Sequence, residues 1–173
     1  PMPDGTYQLV AGERRWRASQ MAGLTEVPVV IRDMDDKEAA ELALIENLQR
    51  EDLDPMEEAL GYRTLIEGYG MTQEQAAEVV NKSRPAVANA LRLLHLPQPV
   101  AEMVSAGQLS AGHARAVLAF ADEQAQIEAA KAAVARELTV RQLEKLAKAA
   151  KAADKPAKEK PIVRRDTLYD EVE

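Results

Sequence analysis

Residues 71–97, MTQEQAAEVVNKSRPAVANALRLLHLP, carry two helix-start signals in close succession. Thr72 is followed three residues later by Gln75, and this pairing can satisfy two backbone N–H groups at the start of a first helix. Ser83 is a preferred N-cap residue, and Pro85 is tolerated in the first turn of a helix, so a second helix is predicted to start there. The stretch therefore predicts two short helices joined by a tight turn.

The second of these helices has an apolar back and a polar front. Val87, Leu91 and Leu94 recur at helical spacing and are predicted to face inward. The residues predicted to point outward are Arg84, Ala88, Asn89 and Arg92. A helix held by its back, with small and hydrogen-bonding residues near its N-terminus, can enter the major groove of DNA. A generic helical hairpin that breaks at Asn81 and Lys82 has the same pattern, so both interpretations stay open on this stretch alone.

Composition favours packed helices. Of the 173 residues, 46% are hydrophobic but only 3% are aromatic, which predicts an aliphatic, alanine-rich core. The formal net charge of −7 argues against a general nucleic-acid coat, although a local basic patch would still permit DNA binding. The absence of cysteine excludes disulfides, thiolate metal sites and cysteine catalysis.

The histidine count and the lack of long apolar runs argue against zinc-binding and membrane-spanning proteins. His95 and His113 are the only histidines and lie far apart in sequence, so a zinc site is not expected. The chain has no apolar run long enough to span a membrane and no visible signal peptide. We therefore expect a soluble, cytoplasmic protein with no membrane partner.

The N-terminal part of the chain predicts a minimal strand–helix–strand unit. Residues 7–10 and 27–31 are short runs typical of strands, and residues 12–23 between them predict a helix that Gly23 ends. A right-handed crossover would make the two strands parallel. Trp16 is predicted to anchor the core of this unit. Two strands form only a thin sheet, so we expect the chain to begin partway into a domain.

The rest of the chain predicts further helices. Besides the hairpin, they are expected at residues 36–50, 54 to about 68 or 70, 100–106, 110–120, 123–137 and 139–153. Residues 154–161, DKPAKEKP, are typical of a solvated linker, and residues 162–173 look like the start of another element. The predicted fold class is α+β but mostly α: a small partial α/β N-terminal unit followed by an all-helical domain.

The turn formed by Gly12, Glu13, Arg14 and Arg15 is the strongest candidate for an anion site. Glycine lets the backbone approach a ligand closely, and the free N–H groups at a helix start favour negative charge. Two arginines there have the wrong sign for the helix dipole, so the helix itself does not require them. Guanidinium groups bind phosphate well. A phosphate-binding turn is favoured, with a solvated charged turn as the alternative.

A second candidate is the segment ENLQR at residues 46–50. Glu46 beside Asn47 offers a carboxylate and an amide, which can share Mg²⁺ with phosphate oxygens. Arg50 can hold a further phosphate oxygen, although Glu46 and Arg50 at this spacing also form an ordinary helix ion pair. Together with the arginine turn, the segment predicts a nucleotide site with a metal ion.

A third candidate is the segment SAGHAR at residues 110–115. Ser110 is a typical cap, and Gly112 would let a phosphate or another backbone approach. His113 and Arg115 are candidates for contacts with DNA phosphate. A histidine that packs inside the protein is at least as compatible with the position of His113.

Four motifs together resemble the ParB family of chromosome-partitioning proteins. They are AGERRWRA at 11–18, ENLQREDLDPMEEA at 46–59, KSRPAVANALRLLHLP at 82–97 and SAGHARA at 110–116. The resemblance implies a partial N-terminal CTP-binding domain at 1–53, a helix-turn-helix domain at 54–153, and a linker with the start of a missing C-terminal dimerisation domain at 154–173. The segment that opens the family's N-terminal domain is expected to be missing before Pro1.

The resemblance also implies a function. Proteins of this family are similar to sliding clamps that bind palindromic parS double-stranded DNA, close as homodimers with CTP and Mg²⁺, spread on DNA and hydrolyse CTP slowly. A ParA-type ATPase and an SMC condensin are the implied protein partners, and the nucleoid is the implied location.

Site residues follow from the same resemblance. Gly12, Glu13, Arg14 and Arg15 would contact the triphosphate, and Arg50 would bind phosphate as well. Glu46 and Asn47 would hold Mg²⁺, with catalytic roles for Glu13 and Glu46. The positions that match the residues by which the family discriminates parS are Arg84, Ala90, His95 and Gly112. The other implied DNA-binding residues are Thr72, Gln73, Lys82, Ser83, Ala86, Asn89, Arg92, His113 and Arg115.

Two other functions are compatible with parts of the sequence. A plain helix-turn-helix transcription regulator would use the hairpin but leave the arginine turn and ENLQR unexplained. An enzyme with a sulfiredoxin-like fold would not need the hairpin, and the absence of cysteine argues against the sulfiredoxin reaction itself.

Overall fold

The computed structural model describes residues 1–2, 4–50 and 52–153, and within them the regular structure is entirely helical. The helices are α1 (Glu13–Met21), α2 (Asp36–Leu48), α3 (Pro55–Glu67), α4 (Gln73–Val79), α5 (Arg84–Leu93), α6 (Gln98–Ser105), α7 (Ala111–Val117), α8 (Glu123–Ala135) and α9 (Val140–Ala153). The mostly helical prediction is therefore confirmed for this part of the chain. The predicted linker and the element after it lie outside the described residues.

The predicted parallel strands are not formed. Residues 7–10 and 27–31 have no β-pairing, and several of their apolar side chains are exposed, Val30 to 85%. Helix α1 buries no residue, and Trp16 is 45% exposed instead of anchoring a core. The reason is physical: a short strand is stable only when it pairs and packs one face, and neither segment does so within the described residues.

The predicted helix starts are confirmed in detail. The Thr72 hydroxyl accepts a hydrogen bond from the Gln75 N–H, and the Gln75 side chain accepts one from the Thr72 N–H. The Ser83 hydroxyl accepts from the Ala86 N–H. The Asp54 carboxylate caps α3, with Pro55 as its first residue. These bonds satisfy backbone donors that a helix cannot satisfy itself, so the local sequence was sufficient to predict them.

Helices α2 to α5 enclose the first of two hydrophobic cores. Leu48, Tyr62, Leu65 and Val87 are among its buried side chains. The pKa of Tyr62 is raised by burial and by its hydrogen bond to Glu58. Alanines fill the places where α4 packs closely on its neighbours.

The inward face of α5 differs in part from the prediction. Val87 is fully buried, but Leu91 and Leu94 are only half-buried, while Ala90 and Leu93 are buried. The difference arises because α5 contributes to both cores: Val87 and Ala90 to the first, and Leu93 to the second. A helix between two cores needs an apolar stripe wider than a single i, i+4, i+7 row.

Helices α6 to α9 form the second core around Val100, Val104, Val117 and Leu143. The Ser105 hydroxyl donates to the Asp54 carboxylate at 2.7 Å and so ties the end of α6 to the start of α3. None of the helices in the described part of the chain has the length and apolar character needed to cross a membrane.

Candidate DNA-binding surface and nucleotide site

Helices α4 and α5 pack against each other through small side chains. Ala76 is fully buried, Ala77 and Val80 nearly so, and Val87 of α5 lies in the same core. Asn81 takes a left-handed conformation (φ 54°) in the turn between the helices, a conformation that asparagine tolerates better than most residues. The geometry is that of a helix-turn-helix, with α5 as the second helix.

Most residues predicted to bind DNA lie at the surface of this hairpin. Thr72, Lys82, Ser83, Arg84, Ala86, Arg92 and His95 are exposed, and Gln73 and Asn89 are half-buried. The starts of α4 and α5 lie side by side, because Glu74 of α4 forms an ion pair with Arg84 of α5 at 2.8 Å. The starts of the two hairpin helices therefore lie on one surface.

Ala90 is the exception among the predicted contact residues of α5. It is 9% exposed and belongs to the first core. The role that the resemblance implies for Ala90 therefore stays a prediction, and any part it has in parS recognition would act through its packing position. A larger residue at this position would act on the orientation of α5 before it could reach a base.

His113 is held by hydrogen bonds on both ring nitrogens. Nδ1 accepts a bond from the Ser110 N–H at 3.3 Å and lies 2.9 Å from the Ser110 hydroxyl, while Nε2 lies 2.9 Å from the Leu138 carbonyl oxygen. A carbonyl only accepts, so Nε2 carries the hydrogen. This arrangement favours the packing interpretation of His113 over a contact with DNA phosphate.

Replacing His113 with alanine is expected to lower the free energy of unfolding by about 1–3 kcal/mol, because the Ser110 N–H and the Leu138 carbonyl lose their partner. Urea denaturation measures the loss. The matched control is His95→Ala, since His95 is exposed and its loss should change stability by less than about 0.5 kcal/mol. Equal stability of the two variants would contradict the packing role.

Gly112 is also explained by packing. A Cβ at this position would lie 3.1 Å from Cγ2 of Val140, so the glycine lets α7 approach α9 closely. Arg115 is exposed on the same helix and remains a candidate for a phosphate contact.

The Gly12 turn has the features expected of an anion-binding helix start. Gly12 takes a left-handed conformation (φ 88°), which a residue with a Cβ adopts only with strain, and no side chain caps the helix. The guanidinium of Arg15 folds back to within 3.5 Å of the position that a Cβ on Gly12 would take. Glu13 forms an ion pair with Arg17 one turn along the helix, and Arg14 is exposed.

An acidic residue that was not among the predicted site residues, Asp52, pairs with the last residue of the ENLQR segment. Arg50 donates two hydrogen bonds to the carboxylate of Asp52, from Nε at 3.2 Å and from Nη2 at 3.1 Å. Its Nη1 lies 3.5 Å from Oδ1 of Asn47, and Glu46 is exposed beside them. An acid two residues after an arginine at a helix end is the signal that points to this pair.

The charge of Arg14 acts on Asp52, which lies just after the end of α2. The hydrogen bond from Arg50 holds the pKa of the Asp52 carboxyl below its usual value, and the positive charge of Arg14 lowers it further. The same pairing raises the pKa of Arg50. The positive charge of Arg14 in the arginine turn thus adds a small effect to that of Arg50 on the Asp52 carboxylate after α2.

The donor set at the end of α2 suits Mg²⁺ bound together with a nucleotide. No group of three or more histidine, cysteine or acidic residues that could hold a metal ion occurs in residues 1–2, 4–50 and 52–153. Mg²⁺ usually takes one or two protein carboxylates and completes its shell with water and phosphate oxygens. Glu46 and Asn47 fit such partial coordination and do not fit a cage made of protein alone.

A hydrogen bond links this site to the hairpin. The Gln49 side-chain amide, between the candidate ligands Asn47 and Arg50, donates to the Val79 carbonyl at 2.9 Å. Val79 is the last residue of α4. Leu48 lies against Gly61 of α3, where an added Cβ would clash with its Cδ2. The end of α2 is thus fixed on both neighbouring helices.

The fold and the exposed face of α5 define a helix-turn-helix protein. Family comparison then narrows the class: residues 51–152 match the model of the ParB HTH domain, and residues 1–48 match that of the ParB N-terminal domain. The chain belongs to the ParB family of chromosome-partitioning proteins.

Individual relatives agree with this assignment. A probable chromosome-partitioning protein ParB of Pseudomonas putida is 51% identical over 146 residues, which are 84% of this chain and 50% of that protein. The C-terminally truncated ParB of Caulobacter crescentus, solved in complex with the centromeric parS site, is 49% identical with a TM-score of 0.81, over 87% of this chain and 80% of that one. A ParB DNA-binding domain, also complexed to parS, is 44% identical with a TM-score of 0.58, over 70% of this chain and 95% of that one. The chain spans about half the length of the curated relative.

Proposed function

We propose that this chain binds parS centromere DNA through α4 and α5 and that CTP with Mg²⁺ gates this binding. The observation that carries the DNA part is the exposure of Arg84 and Arg92 on α5, with Asn89 half-buried on the same helix. Relatives with the same fold are complexed to parS, which supports the same ligand here. In this proposal α5 enters the major groove and the starts of both helices hold the backbone.

The nucleotide part rests on the arginine turn and the end of α2. Arg14, Arg15 and Arg50 would bind the triphosphate, and Glu46 and Asn47 would hold Mg²⁺. Asp52 now neutralises Arg50, so phosphate would have to replace this carboxylate. Glu13 and Glu46 are proposed to assist slow CTP hydrolysis. The match of residues 1–48 to the ParB N-terminal domain supports this assignment.

The path from nucleotide to DNA is proposed to run through Gln49. Its bond to Val79 connects the phosphate-binding end of α2 with the end of α4, which is shorter than the route through α3. Nucleotide that pulls on Arg50 or Asn47 would therefore strain this bond and shift the hairpin. CTP would then close the clamp and release parS for spreading on neighbouring DNA.

The proposal includes the wider family context. The domains would be an N-terminal CTP-binding part at 1–53 and a DNA-binding part at 54–153, with a linker leading from 154–173 towards a dimerisation domain. A homodimer would match the symmetry of a palindromic site. A ParA-type ATPase and an SMC condensin are the proposed protein partners, in the cytoplasm at the nucleoid.

Fluorescence anisotropy with a parS duplex and a scrambled duplex tests the DNA part. We expect the parS duplex to bind at least about tenfold more tightly at moderate salt, since specific sites exceed non-specific DNA by several kcal/mol. Equal affinity for the two duplexes would overturn the DNA proposal. Equal parS dissociation rates with and without CTP would overturn the gating. If calorimetry detects no binding of CTP, a plain helix-turn-helix regulator would be favoured.

A further inference from the structure

The ion pair between Glu74 and Arg84 joins the starts of the two hairpin helices. Nε of Arg84 lies 2.8 Å from Oε1 of Glu74, and the side chains are 64% and 62% exposed. The other ion pairs of the described residues, Glu13 with Arg17 and Arg50 with Asp52, are local in sequence. This pair alone among them connects two helices, and it lies on the surface proposed to face DNA.

Neither stability nor general DNA affinity explains Glu74. An ion pair this exposed contributes little to folding, because water screens it and two long side chains are ordered. A carboxylate near DNA repels phosphate, so Glu74 weakens sequence-independent binding. The first turn of α4 favours an acidic residue through the helix dipole, but this effect does not depend on Arg84.

The chemistry of the contact provides a reason. Arginine reads guanine by placing two N–H groups on O6 and N7, which requires a fixed orientation of a flexible side chain. The closest approach of Glu74 is to Nε, the guanidinium nitrogen nearest the backbone, and not to a terminal nitrogen. A carboxylate at this edge restricts the side chain while the terminal nitrogens can still point into the groove.

We infer that Glu74 is a positioning residue for sequence reading: it orients Arg84 before DNA binds. The inference rests on the proposed binding of parS by α5. It predicts opposite effects on two kinds of DNA, because Glu74 aids the specific contact through Arg84 and repels phosphate everywhere else. A purely structural residue would affect both kinds of DNA alike.

The test measures binding of the 173-residue chain and its variants to a parS duplex, a scrambled duplex and a set of parS duplexes with single base-pair changes. We expect Glu74→Ala to weaken parS binding by about tenfold, within the discrimination of one bidentate arginine contact, while scrambled DNA binds equally or more tightly. Discrimination should be lost at the base pairs where Arg84→Ala loses it, and at no others. The double variant should bind parS no more weakly than Arg84→Ala alone.

Glu78→Ala is the matched control, since Glu78 lies one turn further along α4, is exposed and forms no ion pair within the described residues. It should leave discrimination unchanged. Undiminished parS discrimination by Glu74→Ala, or a loss at base pairs unrelated to Arg84, would overturn the positioning role. If the wild-type chain itself does not distinguish parS from scrambled DNA, the proposed function fails first, and the inference with it.

Discussion

Replacing Arg14 with alanine is expected to lower the affinity for CTP by about a hundredfold, because a charge-assisted bond to phosphate contributes about 1.5–3 kcal/mol. Arg15→Ala should have a similar effect, since its guanidinium folds over the Gly12 turn. The affinity for parS in the absence of nucleotide should stay within about twofold of the wild type, because α1 has no residue in either core. Calorimetry with CTP and Mg²⁺ measures the affinity for CTP, and fluorescence anisotropy measures the affinity for parS.

Arg63→Ala is the control for lost positive charge, since Arg63 is exposed on α3 and lies outside the candidate nucleotide site. It should leave CTP affinity unchanged. Asp52→Asn is the change of opposite sign: it weakens the competitor for Arg50 and should raise CTP affinity several-fold. Loss of both CTP and parS binding in Arg14→Ala would contradict two separate sites. Weaker CTP binding by Asp52→Asn would contradict the competition between Asp52 and phosphate for Arg50.

The second large effect is expected at Gly61. Replacing Gly61 with alanine would make the new Cβ clash with Cδ2 of Leu48, a buried side chain that is only 3% exposed. Leu48 then has to leave its place in the first core, and we expect the free energy of unfolding to fall by about 3 kcal/mol, the upper range for an overpacked core. Urea denaturation measures this loss, and hydrogen exchange of α2 amides should show that α2 is released before the other helices.

A double-mutant cycle identifies the cause of this loss. Leu48→Ala alone should destabilise the protein by about 2–5 kcal/mol through lost burial. Gly61→Ala added to Leu48→Ala should then cost almost nothing further, because the clashing side chain is gone. Additive losses would show that Leu48 is not the residue that requires glycine, and Glu67→Ala, exposed on the same helix, is the control for an unrelated change in α3.

The helix boundaries were the part of the fold most accessible from sequence. Thr72 with Gln75, Ser83 and Asp54 each act within three residues of their own position. Such bonds depend on side-chain chemistry and spacing alone, so the sequence was sufficient to predict the hairpin and most helix starts. The exposed positions of Arg84 and Arg92 followed from the same helical periodicity.

The incorrect predictions concern residues whose environment comes from distant parts of the chain. The strands at 7–10 and 27–31 needed a partner that the described residues do not provide, and Trp16 consequently remains exposed. Leu91 and Leu94 have the spacing of an inward-facing row, but α5 packs against two cores, so they are only half-buried while Ala90 and Leu93 are buried. Local periodicity could not predict this, because it does not say how many neighbours a helix has.

For the candidate sites too, the sequence indicated the individual motifs, whereas the contacts between motifs were visible only in the folded structure. Short motifs were enough to select the arginine turn, ENLQR and the hairpin, since each consists of residue types suited to phosphate or to a base edge. Their relations required folded geometry: Asp52 pairing with Arg50, Gln49 with Val79, and Glu74 with Arg84. Capping is a short-range interaction that sequence specifies directly, whereas contacts such as that between Gln49 and Val79 depend on how whole helices pack.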